Sequence, residues 1–351
     1  MADTMKAVAV FAPGDVRVVT DVPIPEPGDY EVLVKVMYCG FCNGSDFQII
    51  NNTMEKSEGL QDYPTILGHE GSAYAVKLGK KVRHIQLGDR FIHNNLRPDV
   101  GNGYTKTYGG MAEYGLVADH QAMLEDGYTV DQLPFYKKFH KFPREMRFED
   151  GAMLLSLSES LSAVRNFGVK AGSTVLIFGA GPMGTAVATY CKLEGAAYVA
   201  IVDNQPTRLE NAKRIARVDQ TINFDEQPVE LAVGERRFDV AIDAVGATAV
   251  LYQASALLKP YGVVGSMGVL KKNDLLINAS RLKNNTSVHM LNFPFDEYGA
   301  AMDQNIDYIV SGKIDPADFY SHIVPIDEIH KAMELVRTKQ ALKVILKIAD
   351  E

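Results

Sequence analysis

The sequence predicts an α/β protein of two domains, one β-rich and one a doubly wound parallel sheet covered by helices. Three observations predict it. The chain has 351 residues, more than one ordinary domain holds, so about two domains are expected. Its first third reads as short β-branched runs broken by Pro, Gly and Asp. From about residue 150, strand patterns alternate with helix patterns, which is the rhythm of a parallel sheet with helices on both faces.

An apolar fraction of 46% against 23% charged residues allows a core of ordinary size. The formal charge of −8 comes with no basic stripe, which argues against nucleic acid or an anionic membrane as partner. No run approaches the roughly 20 apolar residues of a membrane span. The opening MADTMKAVAVF lacks the basic, apolar and cleavage regions of a signal peptide. Three cysteines give no disulfide framework, so a reducing, cytoplasmic setting is expected.

Taken in order, MKAVAVFAP, VRVVTDVPIPEPG and YEVLVKVMYCG predict strands, and GSAYAVKLGKKV and the stretch from LGDRF continue them. Residues 94–109, polar and Gly-rich, predict a loop. DHQAMLEDGYTVDQLPFYKKFHKFP carries five aromatics, so it is expected to pack on the domain, with residues 120–142 shaping or covering the substrate cleft. FEDGAMLLSLSESLSAVRNFGV predicts a helix, and STVLIFGAGPMGTAVATYCKLEGA a strand, tight turn and helix. YVAIVDNQPTRLENAKRIARVD repeats strand and helix, followed by FDVAIDAVG, AVLYQASALLK and GVVGSMGV. Beyond about residue 290 the rhythm is lost, and KVILKI predicts a closing strand. The expected domains are 1–150, 151–289 for the doubly wound sheet, and 290–351 returning to the first.

The strongest motif is Gly179-Ala180-Gly181-Pro182-Met183-Gly184, placed between a predicted strand and a predicted helix. Gly179 permits the tight turn, Gly181 admits a pyrophosphate, and Gly184 lets helix and strand pack closely. The helix N-terminus offers amides and a partial positive charge to the phosphates. Asp203 ends the next strand, 19 residues beyond Gly184, where an acid accepts from both ribose hydroxyls and favours NAD over NADP. Arg208 follows closely enough to soften that preference. Val245 and Met267, in the later segments FDVAIDAVG and GVVGSMGV, complete the candidate cofactor set.

Cys42 precedes Asn43-Gly44-Ser45-Asp46, and Gly68-His69-Glu70-Gly71 opens a later predicted strand. Thiolate and imidazole are good zinc ligands, and a catalytic zinc takes three protein ligands plus an open position. Taken singly, Cys42 is better read as a buried small hydrophobe and His69 as a hydrogen-bonded turn residue; upstream of a nucleotide domain, the pair favours a metal. Cys39 and Cys42 form a CxxC, but that redox motif usually opens a helix, and here it ends a strand. His93, His120, His140, His289, His322 and His330 fall outside ligand patterns and read as satisfied or solvated, although His93 follows the GDR strand. Cys191 reads as core.

CGFCNGSD, GHEG, GGMAEY at 109–114, GAGPMG and KVILKI, in this order along nearly the whole chain, resemble the zinc-type medium-chain alcohol and polyol dehydrogenases. The sorbitol and threonine dehydrogenase branch is closest in texture. The resemblance implies a GroES-like catalytic domain around a Rossmann domain, with the active site in the cleft between them. It implies NAD-dependent interconversion of a secondary alcohol (a polyol, sugar or cyclitol) and its ketone, and a homodimer or homotetramer formed through the Rossmann domains. Cys42 and His69 match the family's zinc ligands, and Glu70 the acid beside them that sometimes serves as a ligand. Ser45 matches the hydroxyl that hydrogen-bonds the substrate oxygen, Asp46 the acid after it, and Lys343 a basic position near the cofactor phosphates. His93 falls where relatives place substrate-pocket residues.

Two departures follow from the same resemblance. Residues 91–115 hold no cysteine, so the structural zinc of many relatives is expected to be absent. Where relatives carry a third zinc ligand, this chain has Leu155-Ser156, and the nearest acid is Glu159, about one helical turn on. Glu159 is expected to face the active site. Either Glu159 reaches the metal, Glu70 completes the set, or the metal is lost. The alternatives to a zinc-assisted dehydrogenase are a zinc-free reductase using side-chain acids and a non-catalytic dinucleotide sensor.

Overall fold

In a computed structural model, residues 3–54, 60–134, 140–268, 270, 274–291 and 298–350 are described. The chain divides into two compact units, Met1–Leu155 with Gln304–Glu351, and Ser156–Asp303. These divisions fall at 155 and 303 rather than at the expected 150 and 289. Both lie inside helices, Leu154–Asn166 and Tyr298–Val310, where unbroken helical sequence offers no turn residue to mark a boundary.

The first unit is built on the strand Glu31–Phe41, whose run of apolar residues is buried along nearly its whole length. It pairs antiparallel with Glu70–Leu78, with Tyr114–Ala118 and, at its end, with Val344–Lys347. The last pairing sets Leu346 opposite Cys39 and Ile345 opposite Gly40, so the expected closing strand is found and returns to the CGFC segment. Val34, Phe41, Ile49, Leu67, Val344 and Leu346 share one buried core.

Residues 94–109 are not the simple loop expected. Asp99–Gly101 and Tyr104–Lys106 form a hairpin that joins a second sheet through Thr65–Ile66. Its turn is Asn102-Gly103, both with positive φ (52° and 82°). Asn-Gly is the pair that tolerates two left-handed residues in a two-residue hairpin.

The helix expected over 148–169 is also broken in two, Phe148–Gly151 and Leu154–Asn166. The stretch 120–142 packs in its described part, as expected. Asp119 caps the helix His120–Glu125 and also accepts from the amides of Arg83 and His84. Tyr128 meets Tyr30 edge to face at 5.5 Å. Phe135, Tyr136 and Phe139 lie outside the described residues.

The second unit holds a six-stranded sheet, with every pairing parallel. Its order is Gln220–Asn223, Tyr198–Asp203, Thr174–Phe178, Phe238–Asp243, Leu258–Ser266, Ser287–Met290. Strands such as TVLIF and YVAIVD are buried after the first residue, as sheets covered on both faces require. The chain runs outward one way from Thr174–Phe178 and then returns to its other side. That reversal leaves a crevice beyond the strand's carboxyl end, where ligands of such sheets bind.

Candidate active site

The pairing of Glu31–Phe41 with Glu70–Leu78 brings two distant motifs together, because Gly40 lies opposite Glu70 in register. Cys42 follows the first strand and His69 precedes the second. One ligand atom from each of Cys42, His69 and Glu70 lies within 4.8 Å of the others. Glycines make this packing possible. A Cβ on Gly40 would stand 2.2 Å from Glu70 Oε2. Gly68, just before His69, has φ +93° and a Cβ there would sit 2.5 Å from Met111.

The electrostatics of the group are those of buried acids and bases forced together. Burial pushes the Cys42 thiol pKa up, Glu70 adds to this, and Lys343 opposes it. His69 Nε2 stands 3.7 Å from Glu70 Oε1, and its ring lies 4.7 Å from that of Tyr108. His69 Nδ1 is buried with no hydrogen-bond partner. Lys343 donates to Glu70 Oε1 at 2.7 Å, and both side chains are buried. Burial opposes the Lys343 charge, but Glu70 and Cys42 more than offset that and raise its pKa. A thiol, an imidazole with a partnerless buried nitrogen and a carboxylate converge here, and that donor set fits a zinc ion.

Asn43 and Gly44 form a turn, with Gly44 at the N-cap of the helix Ser45–Ile50. Ser45 Oγ therefore lies 3.8 Å from Cys42 Sγ. Asp46 is fully buried, and its Oδ2 accepts from the Cys42 amide at 2.8 Å. Burial raises its pKa to about 7 despite the opposing pull of His69. Leu155 and Ser156 are buried. Glu159 is half-buried on the helix Leu154–Asn166, in the second unit. Among the described residues, the third member of the group that could hold a metal with Cys42 and His69 is Glu70.

In the second unit the glycine turn has the expected geometry. Gly179 has φ +99°, and a Cβ on Gly184 would lie 1.8 Å from the Gly179 carbonyl oxygen. A Cβ on Gly181 would meet only Arg208 Nη1, at 3.9 Å, so the space before the turn is open. The helix Pro182–Leu193 starts there with Gly181 as N-cap and no side-chain cap, leaving its first amides for a phosphate. Asp203 Oδ2 accepts from the Ala180 amide, and Oδ1 from those of Asn204 and Gln205. Arg208 Nη1 is 4.0 Å from Asp203 Oδ2.

Two residues near these sites escaped the sequence reading. Asp243 is buried, and its Oδ1 accepts from the amides of Val245 and Gly246 while Ser266 donates to Oδ2. It thereby fixes Val245, whose Cγ2 would lie 3.0 Å from a Cβ on Gly179. The acid closing FDVAID was its only signal. Tyr108 carried none, since 39 residues separate it from His69.

A glycine turn at the switch point of a parallel sheet and a thiol–imidazole–carboxylate group on a β-rich unit mark the dehydrogenase class. The comparisons agree. The alcohol dehydrogenase GroES-like domain matches residues 28–126, and the zinc-binding dehydrogenase domain residues 182–305. Human sorbitol dehydrogenase is 29% identical, over 97% of this chain and 95% of its own. A Sinorhizobium meliloti protein solved with NADP bound matches with a TM-score of 0.79 at 25% identity, covering 98% of this chain and 99% of that one. An Escherichia coli alcohol dehydrogenase complexed with NADH matches at 0.80 and 21%, covering 99% and 100%. The chain belongs to the zinc-type medium-chain dehydrogenase/reductase family, with the alcohol and polyol dehydrogenases, and is an oxidoreductase. No helix among the described residues is long and apolar enough to cross a membrane.

Proposed function

We propose that the protein oxidises a secondary alcohol of a polyol, sugar or cyclitol to the ketone, reversibly, with NAD and one zinc ion. The convergence of Cys42, His69 and Glu70 within 4.8 Å carries this reading. Bound zinc supplies Lewis acidity that lowers the alcohol pKa, and the oxidised nicotinamide supplies the hydride acceptor. Cys42, His69 and Glu70 hold the metal, and Lys343 holds the Glu70 carboxylate in place. The Ser45 hydroxyl, beside Cys42, accepts the proton leaving the substrate oxygen and passes it to solvent. One alcohol and NAD thus give one ketone, NADH and a proton.

Asp203 supports NAD over NADP, because a 2′-phosphate there would meet a carboxylate already fixed by three backbone amides. Human sorbitol dehydrogenase, by its name, supports the polyol class. The test is metal analysis of protein purified without chelator, together with NAD reduction across a polyol and simple-alcohol panel. The reading expects about one zinc per chain, polyol oxidation with NAD, and loss of rate on chelation or in Ser45→Ala. Metal-free protein whose rate survives chelation would overturn it in favour of a zinc-free reductase.

A further inference from the structure

His93 is a non-glycine residue with φ +62°, and it is only 4% exposed. Left-handed backbone is costly for such a residue and persists where the surroundings demand it. Here they do. The strand Arg90–Ile92 pairs with Glu70–Leu78, setting Ile92 opposite Ser72. Just beyond it, the His93 amide donates to the Gly71 carbonyl at 3.0 Å. The His93 imidazole hydrogen-bonds the main-chain carbonyl of His69. One residue therefore grips the backbone on both sides of Glu70. The backing is tight: the next side chain, Asn94, presses on Gly71, where a Cβ would lie 2.0 Å from Asn94 Oδ1.

We infer that His93 is a positioning residue, which clamps the backbone of the His69–Glu70 pair so that imidazole and carboxylate converge with Cys42 before a metal binds. The inference rests on the proposed metal site. Residues that orient ligands in this way contribute strongly to affinity, because a loose ligand must be ordered on binding. His93 itself lies outside the ligand group, which among the described residues is Cys42, His69 and Glu70. The amide contact to residue 71 and the ring contact to residue 69 coincide with the strained φ.

The experiment measures Zn²⁺ affinity of apo-protein by competition with a chromophoric chelator, and the visible absorption of the Co²⁺ form. It compares wild type, His93→Leu, which loses the ring donor, and His93→Gln, which keeps one. Dinucleotide binding serves as the fold control and should be equal in all three. The inference expects His93→Leu to bind zinc about 10- to 100-fold more weakly, with a shifted Co²⁺ spectrum, and His93→Gln to recover most of the loss. If His93→Leu does not fold, His93→Gly, which suits the left-handed backbone, makes the same comparison. A variant without the ring donor that binds both ions like wild type would overturn the clamp alone. Wild type that binds neither ion would overturn the metal site itself, and the clamp with it.

Discussion

The glycine turn of the second unit and the ligand group of the first are assembled by opposite routes. The turn is six consecutive residues, and its shape is a matter of backbone: Gly184 leaves no room for a Cβ, and Asp203 is gripped by three main-chain amides. The ligand group is made of side chains from remote segments, with Lys343 reaching Glu70 from 273 residues away. What holds it is buried charge balanced against buried charge. A backbone-built site should fail by steric clash and a side-chain-built one by loss of charge balance, and substitutions can separate the two.

The largest expected effect is on charge. Lys343→Met leaves the Glu70 carboxylate buried without its ammonium, and removing one member of a buried pair costs about 3–5 kcal/mol. The metal-free protein should lose that much stability in urea denaturation. Because a bound cation can replace the missing ammonium, added zinc should recover more stability in Lys343→Met than in wild type. An equal response to zinc in both proteins would mean that Glu70 and the metal do not meet.

Steric failure comes next. In Gly184→Ala the new methyl would lie 1.8 Å from a backbone carbonyl, which cannot swing aside as a side chain can, and forced overpacking costs about 1–3 kcal/mol. The variant should bind dinucleotide poorly while its zinc affinity stays that of wild type. Gly181→Ala meets only Arg208 Nη1, at 3.9 Å, so its stability should change by less than about 0.5 kcal/mol while dinucleotide affinity falls. If Gly181→Ala bound dinucleotide normally, the open space beside the turn would not be where the pyrophosphate sits.

This contrast also explains what could be read from the sequence. The glycine turn, its flanking strand and helix, and Asp203 were legible because 3.6- and 2-residue periodicities and glycine spacing are local. The closing strand KVILKI was legible for the same reason, but its register against Cys39 and Gly40 was not. That register carries Lys343 to Glu70. Cys42, His69 and Glu70 could be named as candidates, yet their convergence depends on the pairing of Gly40 with Glu70, which the sequence does not reveal. The Asn102-Gly103 hairpin signal was present, but the polar composition around it hid a turn between two three-residue strands. His93 could be placed after the GDR strand, but nothing in a sequence reports its left-handed φ.

A pH-dependent effect tests whether buried charge in the first unit always needs a partner. Lys106 Nζ donates to Asn95 Oδ1 at 2.7 Å, and burial alone lowers its pKa from 10.5 to about 8. The sign follows from linkage. The unfolded chain keeps the proton up to its ordinary value, whereas the folded protein releases it near pH 8. Between pH 8 and 10.5 the unfolded state therefore binds more protons, and stability should rise with pH across that window. Below pH 8 the full cost of burying the ammonium is present. Lys106→Met removes the charge, and the Asn95 carbonyl oxygen keeps the Leu96 amide as donor. The variant should be more stable than wild type at pH 7 by about 1–2 kcal/mol, after allowing for the lysine's remaining solvent contact. Denaturation at pH 7 and pH 10 should show that margin shrinking as the wild-type lysine loses its proton. A margin unchanged between the two pH values would show that the ammonium is solvated in the fold, leaving Lys343 as the case in which burial and charge are coupled.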